Sequence, residues 1–198
     1  MNDNLISRVI VFFFVFPLIV FSQSIYWEDL SENSRKEILS DSVTFNRAVD
    51  YYNGNLIPND DSLTYLLLDT LTCSRVFTPL YFYEFNEILK KSDGALAEAM
   101  GEYCGNMIYN YPNETFNFII IDKKYNFDKS LFTLYTDFMG WELAMSENLI
   151  IGNSDKTISL KQLEKYLRKN IIQDSDNKIH ELNSFIKQIK KVYKENKQ

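Results

Sequence analysis

The chain has 198 residues, 45% of them hydrophobic, with 21 Lys/Arg against 27 Asp/Glu and a formal charge of −6. The charge is unevenly placed: residues 24–154 hold 9 Lys/Arg against 20 Asp/Glu, a balance of −11, whereas residues 155–198 hold 11 against 6, a balance of +5. An acidic body argues against duplex nucleic acid as its partner, and six Gly with four Pro are too few for a loop-rich fold or a turn-dense β-sandwich.

The first element is an address. Arg8 precedes an apolar run from Val9 to Phe21, closed by Ser22-Gln23-Ser24. Thirteen apolar residues fall short of the about 20 that a membrane-spanning helix needs, and they suit the apolar region of a secretory signal peptide. Val20 and Ser22 stand at −3 and −1 for cleavage before Gln23. The expectation is a signal peptide over 1–22 and one exported domain over 23–198, periplasmic or extracellular, with no stable membrane span after cleavage. A domain of this size buries roughly 70% of the surface its unfolded chain exposes. Fifteen Phe and thirteen Tyr supply bulky core material.

The mature chain then reads as helix after helix. Ser40-Asp41 caps a helix with Phe45, Ala48, Val49 and Tyr52 on one face, ended by Asn53-Gly54. A break with Pro58 follows, and Asp60 or Asp61 caps a helix with Leu63, Leu66, Leu67 and Leu71 inward. Thr78-Pro79 is a cap followed by proline at the first helical position. Tyr81, Phe85, Ile88 and Leu89 form that helix's stripe, and Lys90-Lys91 complement its C-terminal dipole. Ser92-Asp93-Gly94 turns into a helix reaching about Asn110, where Tyr111-Pro112 stops it; Leu96, Met100, Tyr103 and Met107 face the core. Ala97, Gly101 and Gly105 recur every fourth residue as a smooth stripe, for close packing of a neighbouring helix or for a ligand. Interior glycine costs about 1 kcal/mol relative to alanine, so close packing is the natural compensation.

Residues 114–127 are ambiguous: Phe116, Phe118 and Ile120 alternate as in a strand, but no partner strand is evident, and a short helix is the expectation. Asp128 opens a helix bearing Leu131, Leu134, Tyr135, Phe138 and Met145. Ser159 with Gln162 forms a capping box for Leu160, Leu163 and Leu167. Asp174 to Asp176 caps a last helix with a seam of Ile179, Leu182, Phe185, Ile186, Ile189 and Tyr193. The predicted fold class is all-α: an antiparallel bundle, or a short HEAT-like solenoid, of about eight or nine helices. The stretch from Ser92-Asp93-Gly94-Ala95-Leu96 to Asn110-Tyr111-Pro112 and Phe116 resembles one unit of a HEAT-type helical repeat. The resemblance spans about thirty residues without a second copy; it implies protein-binding architecture and carries over no functional residue.

Candidate chemistry is sparse. Cys73 and Cys104 permit one disulfide in an oxidising compartment, and with a single histidine they are too few for structural zinc. Glu84 with Glu87, and Glu98 with Glu102, lie at spacings that share a helix face, as carboxylate centres require, but the Glu-x-x-His ligands of such centres are missing and Lys91 follows Glu87 by four. His180 falls beside the apolar seam and should be exposed, which leaves Ser-His-Asp and Cys-His catalysis poorly supported. Asp174-Ser175-Asp176 begins like a calcium loop, yet Ile179 and Phe185 occupy the positions that need Gly and Glu. Asn113-Glu114-Thr115 is a glycosylation sequon for a eukaryotic secretory pathway. No cofactor is implied. The sequence favours an exported helical module that binds a protein partner. The alternative is a carboxylate-dependent glycan hydrolase drawing on two of Glu84, Glu87, Glu98, Glu102 and Glu142, which requires two of them to converge in a cleft.

Overall fold

Short polar caps set where the helices begin. In the computed structural model, described over residues 26–74, 77–123, 130–152 and 156–197, a 3₁₀ turn at Trp27–Asp29 leads into α1 (Glu32–Ser40), α2 (Asn46–Tyr52), α3 (Ser62–Cys73) and α4 (Pro79–Lys91). Then come α5 (Gly94–Asn110), α6 (Pro112–Lys123), α7 (Leu131–Ser146), a hairpin of β1 (Asn148–Ile150) and β2 (Thr157–Ser159), α8 (Leu160–Asn170) and α9 (Asp176–Asn196). The expected signal peptide, Cys-flanking residues 75–76 and Asp128 lie outside the described residues. Ser31, Asp61, Thr78, Ser130, Ser159 and Ser175 each accept a backbone N–H from the first turn they open, and Ser159 with Gln162 closes the full capping box.

The protein is an all-α bundle built around α7. This helix packs most extensively against α9 and α5, and it also meets α6, α4 and β1. Two glycines make those contacts close. A Cβ at Gly101 would stand 2.7 Å from the Phe138 carbonyl oxygen and 2.4 Å from Glu142 Cβ; one at Gly140 would stand 2.7 Å from Val192 Cβ. The α5–α7 and α7–α9 backbones therefore approach to distances that only hydrogen allows. Among the described residues, no helix is long and apolar enough to cross a membrane.

The structure corrects several faces and boundaries. Leu63 and Leu66, expected inward, are exposed at 56% and 43%, while Leu67, Leu68 and Leu71 are fully buried with Thr64 and Thr72. A helix with leucine on several sides has no periodicity that selects a face, and packing against α4 and α5 selects it here. The threonines are tolerated because Thr72 Oγ1 donates to the Leu68 carbonyl and Thr64 Oγ1 accepts from Asn59 N. Ser40-Asp41 ends α1 instead of opening the next helix, and Phe45 precedes α2, stacked over Tyr81. There the Tyr81 hydroxyl accepts from Phe45 N at 3.0 Å, supplying the cap that no local side chain provides. Ile179 and Met145 are exposed at 37% and 49%, outside the seams assigned to them.

The ambiguous stretch is helical through Lys123, with residues 124–127 outside the description. The β-hairpin was not expected. Its antiparallel register pairs Asn148 with Ser159, Leu149 with Ile158 and Ile150 with Thr157, and it seats Leu149 against Gly105. Strands of three residues are too short to reveal a period of two. In the basic C-terminal part, Glu164 takes both Arg168 (3.0 Å) and Lys190 (2.6 Å), so some of that charge joins α8 to α9.

The glycine contacts predict a ranking. Gly140→Ala and Gly101→Ala should each destabilise by about 1–3 kcal/mol through overpacking. A methyl at Gly105 would press on the end of Leu149 at 3.3 Å and otherwise meet Leu149 and Ile151 at ordinary contact distance, and its helix-propensity gain of about 1 kcal/mol should leave stability level or higher. Urea unfolding of the three variants checks the order.

Candidate functional site

The residues singled out in the sequence are dispersed. Glu84, on α4, is fully buried, and neither carboxylate oxygen has a hydrogen-bond partner. Burial pushes its carboxyl up to about 9, so at neutral pH it is a protonated acid set near Tyr51 and Tyr81. Glu87, one turn on, pairs with Lys91 at 3.0 Å, as its spacing implied. On α5, Glu98 is exposed, whereas Glu102 is partly buried and raised first by that burial and then by the neighbouring Asp69 and Glu142. Glu84, Glu87, Glu98 and Glu102 thus form no single acidic cluster: α4 sends one inward and one outward, and α5 sends the other two toward different neighbours.

The small-residue stripe is a packing device over most of its length. Gly101 receives α7 and Gly105 receives Leu149 and Ile151, while Ala97 borders an open groove between α5, α7 and α9. Cys73 and Cys104 sit on the contacting helices α3 and α5 as free thiols. Burial raises both, and Cys104, entirely enclosed, lies well above the usual thiol range. His180 is exposed. In the sequon, the Asn113 side-chain amide donates to the Asn170 carbonyl and accepts from Ile172 N, joining α6 to the end of α8, while the fully buried Thr115 donates to the Met107 carbonyl of α5.

One well-formed recess was not legible in the sequence. A groove of about 600 Å³ runs between the 3₁₀ turn, α4, α6 and the start of α7. The spacing of Pro79, Phe82, Tyr83, Asn86 and Lys90 places them on one face of α4 to form its wall. Phe118 from α6 lies at its centre, with its ring centroid 4.1 Å from Phe82 and 4.3 Å from Tyr26. Trp27 closes the end, edge-on to Tyr52 at 5.3 Å. Arg35 fixes the turn by donating to the Trp27 and Glu28 carbonyls, with its guanidinium 5.8 Å from the Trp27 ring.

The rim is acidic. Glu28, Asp29, Glu87 and Asp122 line it together with Lys90 among the described residues, and Glu87 is also paired with Lys91. Asp122 accepts from Leu131 N at the head of α7, which satisfies an otherwise free helix donor. The signal that could have found this groove is the excess of aromatic residues, but Phe118 lies far in sequence from Phe82 and Tyr83, and only the folded arrangement brings them to one recess. Its size lies within the range of ligand pockets, and its apolar floor with few polar groups is the usual chemistry of recognition. No group of three His, Cys, Asp or Glu able to hold a metal ion occurs among the described residues. Comparison with protein-family models, curated proteins and solved structures finds no match for this chain.

The buried acid gives a pH prediction. Because the folded-state value of Glu84 is raised to about 9 above an unfolded value near 4.5, the folded form keeps a proton that the unfolded form releases. Stability from this group is therefore undiminished below the unfolded value and falls as pH rises toward 9, by at most about 1.4 kcal/mol per pH unit. Glu84→Gln should be more stable than the parent, with the gain larger at pH 8 than at pH 5. A gain that is equal at both pH values in urea titrations would show that the carboxyl is not held neutral.

Proposed function

We propose that the protein is exported and acts as a binding module for a protein partner in or beyond the cell envelope, in an inhibitory, immunity or assembly role. The observation that carries this reading is the aromatic-floored, acid-rimmed groove between the 3₁₀ turn, α4 and α6. Its floor fits an apolar anchor and its rim fits cationic flanks, so the occupant is a basic amphipathic segment of the partner. The apolar run from Val9 to Phe21 after Arg8 supports export. The net balance of −11 over residues 24–154 supports electrostatic steering of a basic partner toward the groove.

Two measurements test this. Protein recovered from the envelope or medium of its host should have an intact mass beginning at Gln23; recovery in the cytoplasm beginning at Met1 overturns export. A photo-crosslinker placed at Tyr83 should trap one stoichiometric partner. Ile121→Asp should abolish the trapping by weakening binding at least about tenfold, as loss of an interface anchor does. Glu28→Lys, on an exposed rim residue, should reduce the association rate and its salt dependence with the melting temperature unchanged. Trapping that is indifferent to both substitutions overturns the groove as the docking site.

A further inference from the structure

We infer that the second groove, between α5, α7 and α9, is a binding site for a small organic ammonium cation. This site is independent of the docking groove. It has a volume of about 540 Å³ and is walled by Phe138 and Trp141 of α7, with Val192 of α9 and Ala97 of α5 beside them. Asp137, Phe138 and Trp141 stand at i, i+1 and i+4 and so share one side of α7; Gln188, Val192 and Glu195 do the same on α9. Glu98 adds a carboxylate from α5, so each of the three helices contributes one acid to the same recess.

The charges facing the recess leave it anionic. Lys and Arg are absent from its lining among the described residues. Lys191 pairs with Glu195 at 3.9 Å, both side chains largely exposed, and its charge also acts on Asp137, so one ammonium stands against three carboxylates. Asp137 is held by a hydrogen bond from Gln188. The helices that carry these groups cannot drift apart to relieve the repulsion: Phe138 adjoins the Gly101 contact and Val192 fills the Gly140 contact. The recess is therefore fixed before any ligand arrives, which lowers the ordering penalty of binding.

The arrangement selects the class of cation. A metal ion needs several oxygens converging within about 2.6 Å of one point, and no such acidic group exists among the described residues. Carboxylates spread around an aromatic wall suit a larger, diffuse charge instead. An ammonium over the face of a tryptophan gains about 0.5–2 kcal/mol from the ring quadrupole, and its methyl or methylene groups gain from apolar walls. Trp141 and Phe138 supply the rings and Asp137, Glu98 and Glu195 the countercharge. Affinity should be in the millimolar range, as a few such contacts provide.

The test uses choline chloride as the cation and 3,3-dimethylbutan-1-ol as its neutral isostere, followed on the two tryptophan indole N–H signals of the ¹⁵N-labelled protein. Trp141→Phe assigns the signals. Choline should shift the Trp141 signal saturably, while the neutral alcohol and potassium chloride at matched ionic strength should not. Asp137→Asn should weaken binding about fivefold, and Trp141→Leu should abolish the heat of choline binding seen by calorimetry. No shift up to about 100 mM choline, well above millimolar affinity, overturns the proposal. So does an equal response to the alcohol or to potassium chloride. Displacement of choline by a lysine-rich peptide at a hundredfold lower concentration also overturns it, because the site would then belong to a macromolecular partner. Retained folding of Asp137→Asn is read from the unperturbed Trp27 signal.

Discussion

The architecture depends on how closely α7 is approached from its two sides. Gly101 admits the α7 backbone to α5, and Gly140 admits α9 to α7, each at a separation where a methyl group would overlap carbonyl oxygen or Cβ atoms. Close approach lets Phe116, Phe132, Phe185 and Tyr135 interlock around the central helix, with Phe185 edge-on to both Phe116 and Phe132. Dispersion over so many short contacts outweighs the helix-propensity penalty of two glycines, about 1 kcal/mol each. The same contacts fix the walls of the groove between α5, α7 and α9, so packing and recognition share one cause.

Polar groups inside the bundle follow two different rules. Tyr135 donates to Asn86, Asn106 accepts from Gly152 N, and Thr115 donates to the Met107 carbonyl, so each of these buried groups replaces its lost water with a partner. Glu84 has no such partner and avoids the larger penalty of a buried charge by remaining protonated. The interior therefore accommodates an acid at the expense of stability at high pH. The carboxylates that shape the surface are instead those left at groove rims, where water and counterions screen them.

Charge is partitioned along the chain with a structural consequence. The acids that border the grooves come from the 3₁₀ turn, α4 and α6 at one and from α5, α7 and α9 at the other, whereas part of the basic C-terminal charge serves to join helices, as Lys190 of α9 does on Glu164 of α8. The outward potential near the grooves thus stays negative. That sign is what makes a basic segment in one groove and an organic cation in the other the occupants argued for, and it would repel anionic ligands from both.

Most helices and most of their starts were legible in the sequence, α1 excepted, because caps such as Thr78-Pro79, Ser159-Gln162 and those within Asp60–Asp61 and Asp174–Asp176 act through hydrogen bonds to residues three positions away. The seam of Leu182, Phe185, Ile186 and Ile189 was equally legible, since amphipathic spacing on a long helix has one buried solution. The sequence could not determine which side of leucine-rich α3 is buried, because Leu63 and Leu67 become distinguishable only once α4 and α5 are in place. Nor could it distinguish Glu84 from Glu87, three residues apart on one helix, one sealed and the other ion-paired at a rim. The hairpin and both grooves belong to the same class, since Trp27, Phe82 and Phe118 come together through contacts between distant segments. Local hydrogen bonding and periodicity are written into neighbouring residues; burial, pKa and concavity are properties of surfaces that exist only after the helices have packed.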